Sequence, residues 1–235
     1  MHRPDRTSPF APVVDPAVWH LRPDFVALSL VVRGGRNAPS DARSAAALQA
    51  ASEDRTTAAG WAEPHLEAWR DAYRAFGAKP QRTPCSAEAL RRRARTPPTV
   101  NHLVDAYNAL SLRFAVPIGG EDLTAYQGPP RLTVAVGNEP FETVKDGMAV
   151  VEQVDPGEVV WRDDRGVTCR RWNWRQTPLT RLGAHSTEMW FVVERLEPMP
   201  LAAVEEVGAA LADAVRALAP GAEVERRLIR PPAGG

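Results

Sequence analysis

An α+β fold is predicted from three observations on this 235-residue chain. Phe25–Val32 (FVALSLVV) is a continuous apolar run of strand length closed by Gly34-Gly35. Leu66, Trp69, Tyr73 and Phe76 recur at the three- and four-residue spacing of a helix face. Beyond Pro117 the pattern shortens to strand-length segments before one last amphipathic stretch. Together they predict a single layered domain, with helices packed on a mixed or antiparallel β-sheet or a β-sandwich core.

Each element has its own signal. The first twenty residues are proline-rich and are expected to be extended. Ser40–Ala51 is alanine-rich and reads as helix. Pro64 is expected near the start of the next helix, and Gly77 ends it. Ser86 is expected to cap a short arginine-rich helix, and Val100–Ala115 to form a longer one. Leu132–Val136, Val159–Arg162, Val167–Trp174 and Met189–Leu196 read as strands. Leu201–Leu218 is helical, with Val204, Val207, Leu211, Val215 and Leu218 inward, and Val224–Ile229 is expected as an edge strand. The organisation expected is an arm over 1–20, one domain over 21–230 and a frayed tail over 231–235.

Composition narrows the function classes. Hydrophobic residues make up 44% and charged residues 25%, with a formal net charge of zero. That balance argues against bulk coating of nucleic acid, and no DNA partner is expected. No apolar run reaches the roughly 20 residues that span a bilayer, and the N-terminus lacks a secretory core. A cytoplasmic location with no membrane partner is expected. Cys85 and Cys169 form neither a CxxC pair nor a disulfide framework, and His2, His20, His65, His102 and His185 show no ligand spacing. Neither a metal nor a cofactor is expected. Lys79 and Lys145 are the only lysines, so local positive charge is arginine, clustered at 91–95 and 170–175.

The segment G166-V-T-C-R-R-W-N-W-R-Q-T177 sets two tryptophans and an asparagine among three arginines. As a strand it places Arg170, Trp172 and Trp174 on one face and Cys169, Arg171, Asn173 and Arg175 on the other. Two readings stay open. Either the indoles reach the core beside solvated arginines, or the segment holds a ligand with rings and phosphates.

Four further groups are chemically suggestive. On the helix N101-H-L-V-D-A-Y-N-A-L-S-L-R113, Leu103, Tyr107, Leu110 and Phe114 share a stripe. Asn101, Asp105 and Asn108 lie nearly opposite, as a surface kept for hydrogen bonding or an ordinary wet face. Gly119-Gly120-Glu121-Asp122 combines close backbone approach with acids that hold hydroxyls or an ammonium, or is a simple turn. Glu194 shares a strand face with Trp190 and Val192, as a carboxylate in an apolar wall or a solvent-facing strand end. Cys85, beside Thr83 and a helix start, is a conceivable nucleophile without a base nearby in sequence.

Taken in order, F76-G-A-K-P-Q-R-T-P-C-S86, the Asn101–Arg113 helix, the Pro117–Asp122 turn and G166–Q176 resemble one family. That family is the tRNA-binding and editing domain of the bacterial phenylalanyl-tRNA synthetase β subunit. The resemblance spans roughly Phe25–Leu218. It implies that domain's layered α+β fold and, as partner, the 3′ end of an aminoacyl-tRNA. The activity implied is metal-independent hydrolysis of a mischarged ester, acting in trans. Such a second site is needed where one pocket cannot separate near-isosteres. The family's Thr-Asn pair reads Tyr107-Asn108 here, and its Pro-x-His turn reads Pro117-Ile118-Gly119. A family glutamate falls on Glu194, and the family's glycine-rich loop is replaced by the Arg-Trp-Asn-Trp-Arg run.

The expected catalytic groups are therefore Asn108, Glu194 and Asn173. Substrate contacts are expected from Tyr107, Gly119, Gly120, Glu121, Asp122, Arg171, Trp172, Trp174 and Arg175. The alternative is a non-catalytic module of the same fold that binds tRNA, an amino acid or a protein. A weaker third reading is a hydrolase of small amino-acid esters or amides.

Overall fold

The computed structural model describes residues 11–54, 59–93 and 96–232. It is α+β, and two sheets carry the framework. One is β11-β2-β10-β3, formed by Glu223–Ile229, Val26–Arg33, Met189–Arg195 and Ile118–Asp122, and all its pairings are antiparallel. The other is β1-β4-β7-β8-β9, formed by Val13–Val14, Arg131–Val134, Val159–Arg162, Val167–Arg170 and Arg175–Gln176. Its β1–β4 pairing is parallel, which makes it mixed. The hairpin β5–β6 (Pro140–Lys145 and Met148–Gln153) stands beside them.

The unbroken apolar run of β2 is explained by cores on both sides of its sheet. Leu28, Leu30 and Val32, with Met189, Phe191 and Val193 of β10, face one core together with α6 (Leu201–Leu218). Ala27 and Val31, with Trp190 and Val192, face the other, shared with the five-stranded sheet and α3 (Ala62–Ala75). In α6, Val204, Val207, Leu211 and Val215 are fully buried and Leu218 partly so, as the 3.6-residue period requires. On α3, Leu66, Trp69 and Tyr73 are buried and Gly77 follows at φ +83°, a value that suits glycine. His65, from the same face, meets the Ala115 carbonyl through Nδ1 and receives the Trp69 indole N–H at Nε2.

Several expectations need correction. The part of the N-terminal arm described here, from residue 11, is not extended throughout: Pro16–Leu21 is helix α1, capped by Asp15 with proline in its first turn. Asp41 and Ser44 close a reciprocal capping box on α2 (Ala42–Glu53). Ser86 does not cap α4 (Ser86–Arg92); the N-cap is Cys85, and Ser86 is the first helical residue. The Pro117–Asp122 turn is strand β3, because Ile118–Asp122 pairs along β10. The end of the tail, 233–235, lies outside the described residues.

The largest correction concerns 166–177. It is a hairpin, β8 then β9, and the alternation of faces stops at Arg170. Arg171 and Trp172 take φ of +47° and +68°, and the Asn173 N–H donates to the Arg171 carbonyl across 2.8 Å. Positive φ at two bulky residues is a strained arrangement that its surroundings must hold in place. Here the Arg171 N–H donates to Glu158 at 2.9 Å and the Trp172 N–H to the Val159 carbonyl.

Candidate functional site

Between the β3–β10 half of one sheet and the β7–β8–β9 end of the other lies a cavity of about 170 Å³. Its other walls are α5 (His102–Phe114), through Tyr107 and Asn108, and the start of α4, through Ser86. Trp161, Cys169, Trp172, Asn173, Trp174 and Gln176 line the hairpin side, and Ile118, Gly119, Glu121, Val192 and Glu194 the sheet side.

Glu194 is 1% exposed. Its Oε1 accepts the Trp161 indole N–H at 2.8 Å and its Oε2 the Asn173 amide at 2.9 Å. Burial outweighs these donors and pushes its pKa up to about 8. The Trp172 indole N–H also lies near enough to favour the anion, yet falls outside hydrogen-bond geometry. Asn173 is itself fixed: its Oδ1 accepts from the Tyr73 hydroxyl at 2.9 Å and the Ser86 N–H at 3.2 Å. A carboxylate, two amide atoms, a phenol and a helix-start N–H thus form one buried network.

Glu121 is the second acid. Its Oε2 accepts the Tyr126 hydroxyl at 2.7 Å, and burial pushes its pKa up to about 7. The negative charge of Glu121 also contributes to the raised pKa of Glu194. Two carboxyl groups in one cavity therefore titrate near neutrality, the range in which a group both takes and gives protons.

The cavity brings together Tyr107, Asn108, Gly119, Glu121, Trp172, Asn173, Trp174 and Glu194. Among the described residues the Asn108 side chain makes no hydrogen bond, which leaves its amide for a ligand. Four expected contacts lie outside the lining. Gly120 sits beneath Tyr107, and a Cβ there would stand 2.8 Å from Tyr107 Cε1, so the close approach it permits is that of α5. Asp122 caps the 3-10 turn Leu123–Ala125 and accepts the Ser186 hydroxyl at 2.5 Å. Arg171 lies over the Trp174 ring at 4.7 Å and pairs with Asp155 and Glu158 at 3.6 and 3.7 Å, and Arg175 lies 6.0 Å from the same ring with Glu152 at 3.9 Å. Arg170 is no phosphate ligand: it is buried and bonds Glu158 twice, at 3.0 and 2.8 Å.

The polar stripe expected on α5 divides. Asn101 is the N-cap and also holds Asn37 and the Leu182 carbonyl, while buried Asp105 accepts from Ser40, Ser44 and the Val100 N–H. Only Asn108 reaches the cavity. Cys85 is buried and its thiol is pushed up to about 12, which removes it as a thiolate nucleophile near neutral pH. Thr83 bonds back to the Lys79 carbonyl and shapes its loop.

Sequence reading missed Trp161, Gln176, Ser86 and Tyr73. Trp161 and Cys169 are cross-strand partners, as are Cys169 and Gln176, so pairing of β7, β8 and β9 places all three in the wall. No local signal marks Tyr73 or Ser86, whose contacts to Asn173 span 100 and 87 residues.

Among the described residues, no group of three or more His, Cys, Asp or Glu is placed to hold a metal ion. No helix there is long and apolar enough to cross a membrane.

No curated protein matches the chain. Among solved structures it is similar to an N-terminal fragment of the phenylalanyl-tRNA synthetase β subunit from Pyrococcus horikoshii, at 13% identity and a TM-score of 0.46. That match covers 92% of this chain and 50% of the fragment, so the chain spans half of that relative's length. The family model for the B3/4 domain matches residues 68–206, a segment that holds α4, α5, β3 and the whole Arg-Trp-Asn-Trp-Arg hairpin. The chain belongs to the B3/4 domain family, the domain found in the β subunit of phenylalanyl-tRNA synthetase.

Proposed function

We propose that this chain binds the 3′ end of an aminoacyl-tRNA and hydrolyses its ester, acting in trans on mischarged tRNA. The observation that carries this reading is the Glu194–Asn173 pair in a cavity that also holds Asn108 and Glu121. Ester hydrolysis needs a base for water and donors for the carbonyl oxygen as it gains charge. Glu194, with a pKa of about 8, takes a proton from the attacking water, whose oxygen bonds to the acyl carbon. The Asn108 amide, which has no internal partner, donates to the carbonyl oxygen. Collapse of the tetrahedral species breaks the bond to the ribose oxygen. That oxygen recovers the proton from Glu194, releasing amino acid and tRNA. Trp174, half-buried at the cavity wall with Arg171 and Arg175 beside its ring, offers a stacking plane for the terminal nucleotide, whose phosphate would compete with Asp155, Glu158 and Glu152 for the two guanidinium groups.

A second reading, a binding module without catalysis, draws on one observation: both Glu194 oxygens already accept hydrogen bonds. The test is ester loss from a panel of radiolabelled cognate and mischarged aminoacyl-tRNAs, measured over uncatalysed decay. Rapid loss of one mischarged pair with its cognate spared supports hydrolysis. Flat decay across the panel, with salt-sensitive tRNA binding retained, supports the module.

A further inference from the structure

The cavity has a polarity that its two acids alone do not express. None of its lining residues is lysine, arginine or histidine; Arg181, which bridges Glu121 through the backbone and whose charge reaches Tyr107, stands outside the lining. Glu121 and Glu194 stand at opposite ends of one sheet face. Glu121 pairs with Trp190, and Glu194 lies four residues further along β10, about 13 Å at the rise of an antiparallel strand. Between them Gly119 opposes Val192 and leaves the floor without a side chain on the β3 side.

The Glu194 end has spare donors. The Ser86 hydroxyl is enclosed without a hydrogen-bond partner, and the Trp172 indole N–H, near Glu194 but outside hydrogen-bond geometry, completes no bond; both residues line the cavity. A buried donor without an acceptor is costly, so this end is built to receive an acceptor atom such as a carbonyl oxygen. The Glu121 end has the opposite character. Glu121 accepts the Tyr126 phenol at 2.7 Å and is further favoured as an anion by the Thr180 and Gln176 side chains, and its charge reaches Tyr107, a setting that pairs with an ammonium.

We propose that the cavity selects an acyl group with a basic side chain, of the lysine or ornithine class. Its carbonyl lies at the Ser86–Trp172 end and its terminal ammonium against Glu121. The choice of an aminoacyl ligand rests on the function proposed above; the polarity of the cavity does not. An anionic side chain is repelled by both acids, and with a neutral one Glu121 keeps its proton, because the α-ammonium common to all aminoacyl groups stays beside the carbonyl at the other end. Burial of Glu121, with its pKa raised to about 7, means that a bound ammonium also draws its proton off.

The test is calorimetric binding to the whole chain of L-lysinamide, L-ornithinamide, L-norleucinamide and L-tyrosinamide, which keep the carbonyl but present no ester. At pH 8, lysinamide or ornithinamide is expected to bind roughly tenfold or more tightly than norleucinamide, and the preference to shrink below pH 6 as Glu121 gains a proton. Glu121→Gln, checked for folding by circular dichroism, is expected to erase the preference. The inference is overturned if neither basic amide binds, if norleucinamide or tyrosinamide binds as well, or if folded Glu121→Gln keeps the preference. A basic preference with no cleavage of any aminoacyl-tRNA sinks the hydrolase alone. Cleavage without the preference sinks this inference alone.

Discussion

Asn173 donates a hydrogen bond to Glu194 across 2.9 Å, and its other amide atom is held by Tyr73 from 100 residues away. This contact joins the strained hairpin to the central strand β10. It sets the orientation of the carboxylate on which the proposed hydrolysis depends.

Replacing Asn173 with alanine strands three buried groups: the Tyr73 hydroxyl, the Ser86 N–H and one Glu194 oxygen. The expected cost is about 2–4 kcal/mol in urea unfolding, against about 1 kcal/mol for Tyr73→Phe, which removes a single bond. Equal effects of the two variants would show that Asn173 is not the hub.

Glu194→Gln keeps the shape of the side chain and removes the base. Ester hydrolysis is expected to fall about 100-fold or more, with tRNA binding changed little. In the wild-type protein the rate is expected to climb with pH toward a plateau above about 8, because Glu194 must be ionised to act. A rate profile flat between pH 6 and 9 would contradict the role.

Stability has its own pH signature. Glu194 and Glu121 have pKa values raised to about 8 and about 7, above the ordinary 4.5. Their contribution is fully present below about pH 4.5. It is lost as pH rises toward those values, because the unfolded chain ionises first. Glu194→Gln is therefore expected to gain thermal stability relative to wild type between pH 5 and 8. His65 acts with the opposite sign: burial lowers its pKa from 6.5 to about 4, so its contribution is present above 6.5 and lost as pH falls through 4.

The two neighbouring glycines are expected to differ. A Cβ at Gly120 meets Tyr107, Leu182 and Phe191 within 2.8–3.0 Å, and Gly120→Ala is expected to cost about 1–3 kcal/mol. At Gly119 the nearest atom is Val192 Cγ1 at 3.3 Å, so Gly119→Ala is expected to fold nearly as well. Because it narrows the cavity floor, it should weaken amide binding. Thermal melts and calorimetry on the pair check both halves.

Arg170 gives the last test. It is buried against Glu158, with Glu152 at 2.9 Å, and Arg170→Ala strips buried Glu158 of its two shortest charged contacts, leaving the Arg171 N–H and the Arg171 guanidinium at 3.7 Å. A loss of about 3–5 kcal/mol is expected. A loss under about 1 kcal/mol would mean that the pair is hydrated and that Arg170 is available to a ligand.

What the chain alone made legible were the features written in local periodicity. The apolar run of β2, the buried stripes of α3 and α6, the edge strand β11 and the α+β class follow from which residues recur at two or 3.6. Resemblance of motifs in order pointed to the family that the domain match bears out. The acids were legible as chemistry, since Glu194 on the face of Val192 is already an acid in an apolar wall.

The tertiary structure decided what those residues do. Periodicity assumes that an element continues, and at Arg171 the backbone turns to positive φ, so Trp172 enters the core and Asn173 the cavity wall. That turn is held by Val159, the first residue of the neighbouring strand β7, and by Glu158 just before it. Asn101, Asp105 and Asn108 share a stripe, yet only Asn108 faces open space, because the residues that satisfy the other two come from Asn37, Ser40, Ser44 and Leu182. Local sequence sets which groups are present and how they recur. Which of them is left without a partner depends on contacts between distant segments, and a site is made of groups the fold leaves unpaired.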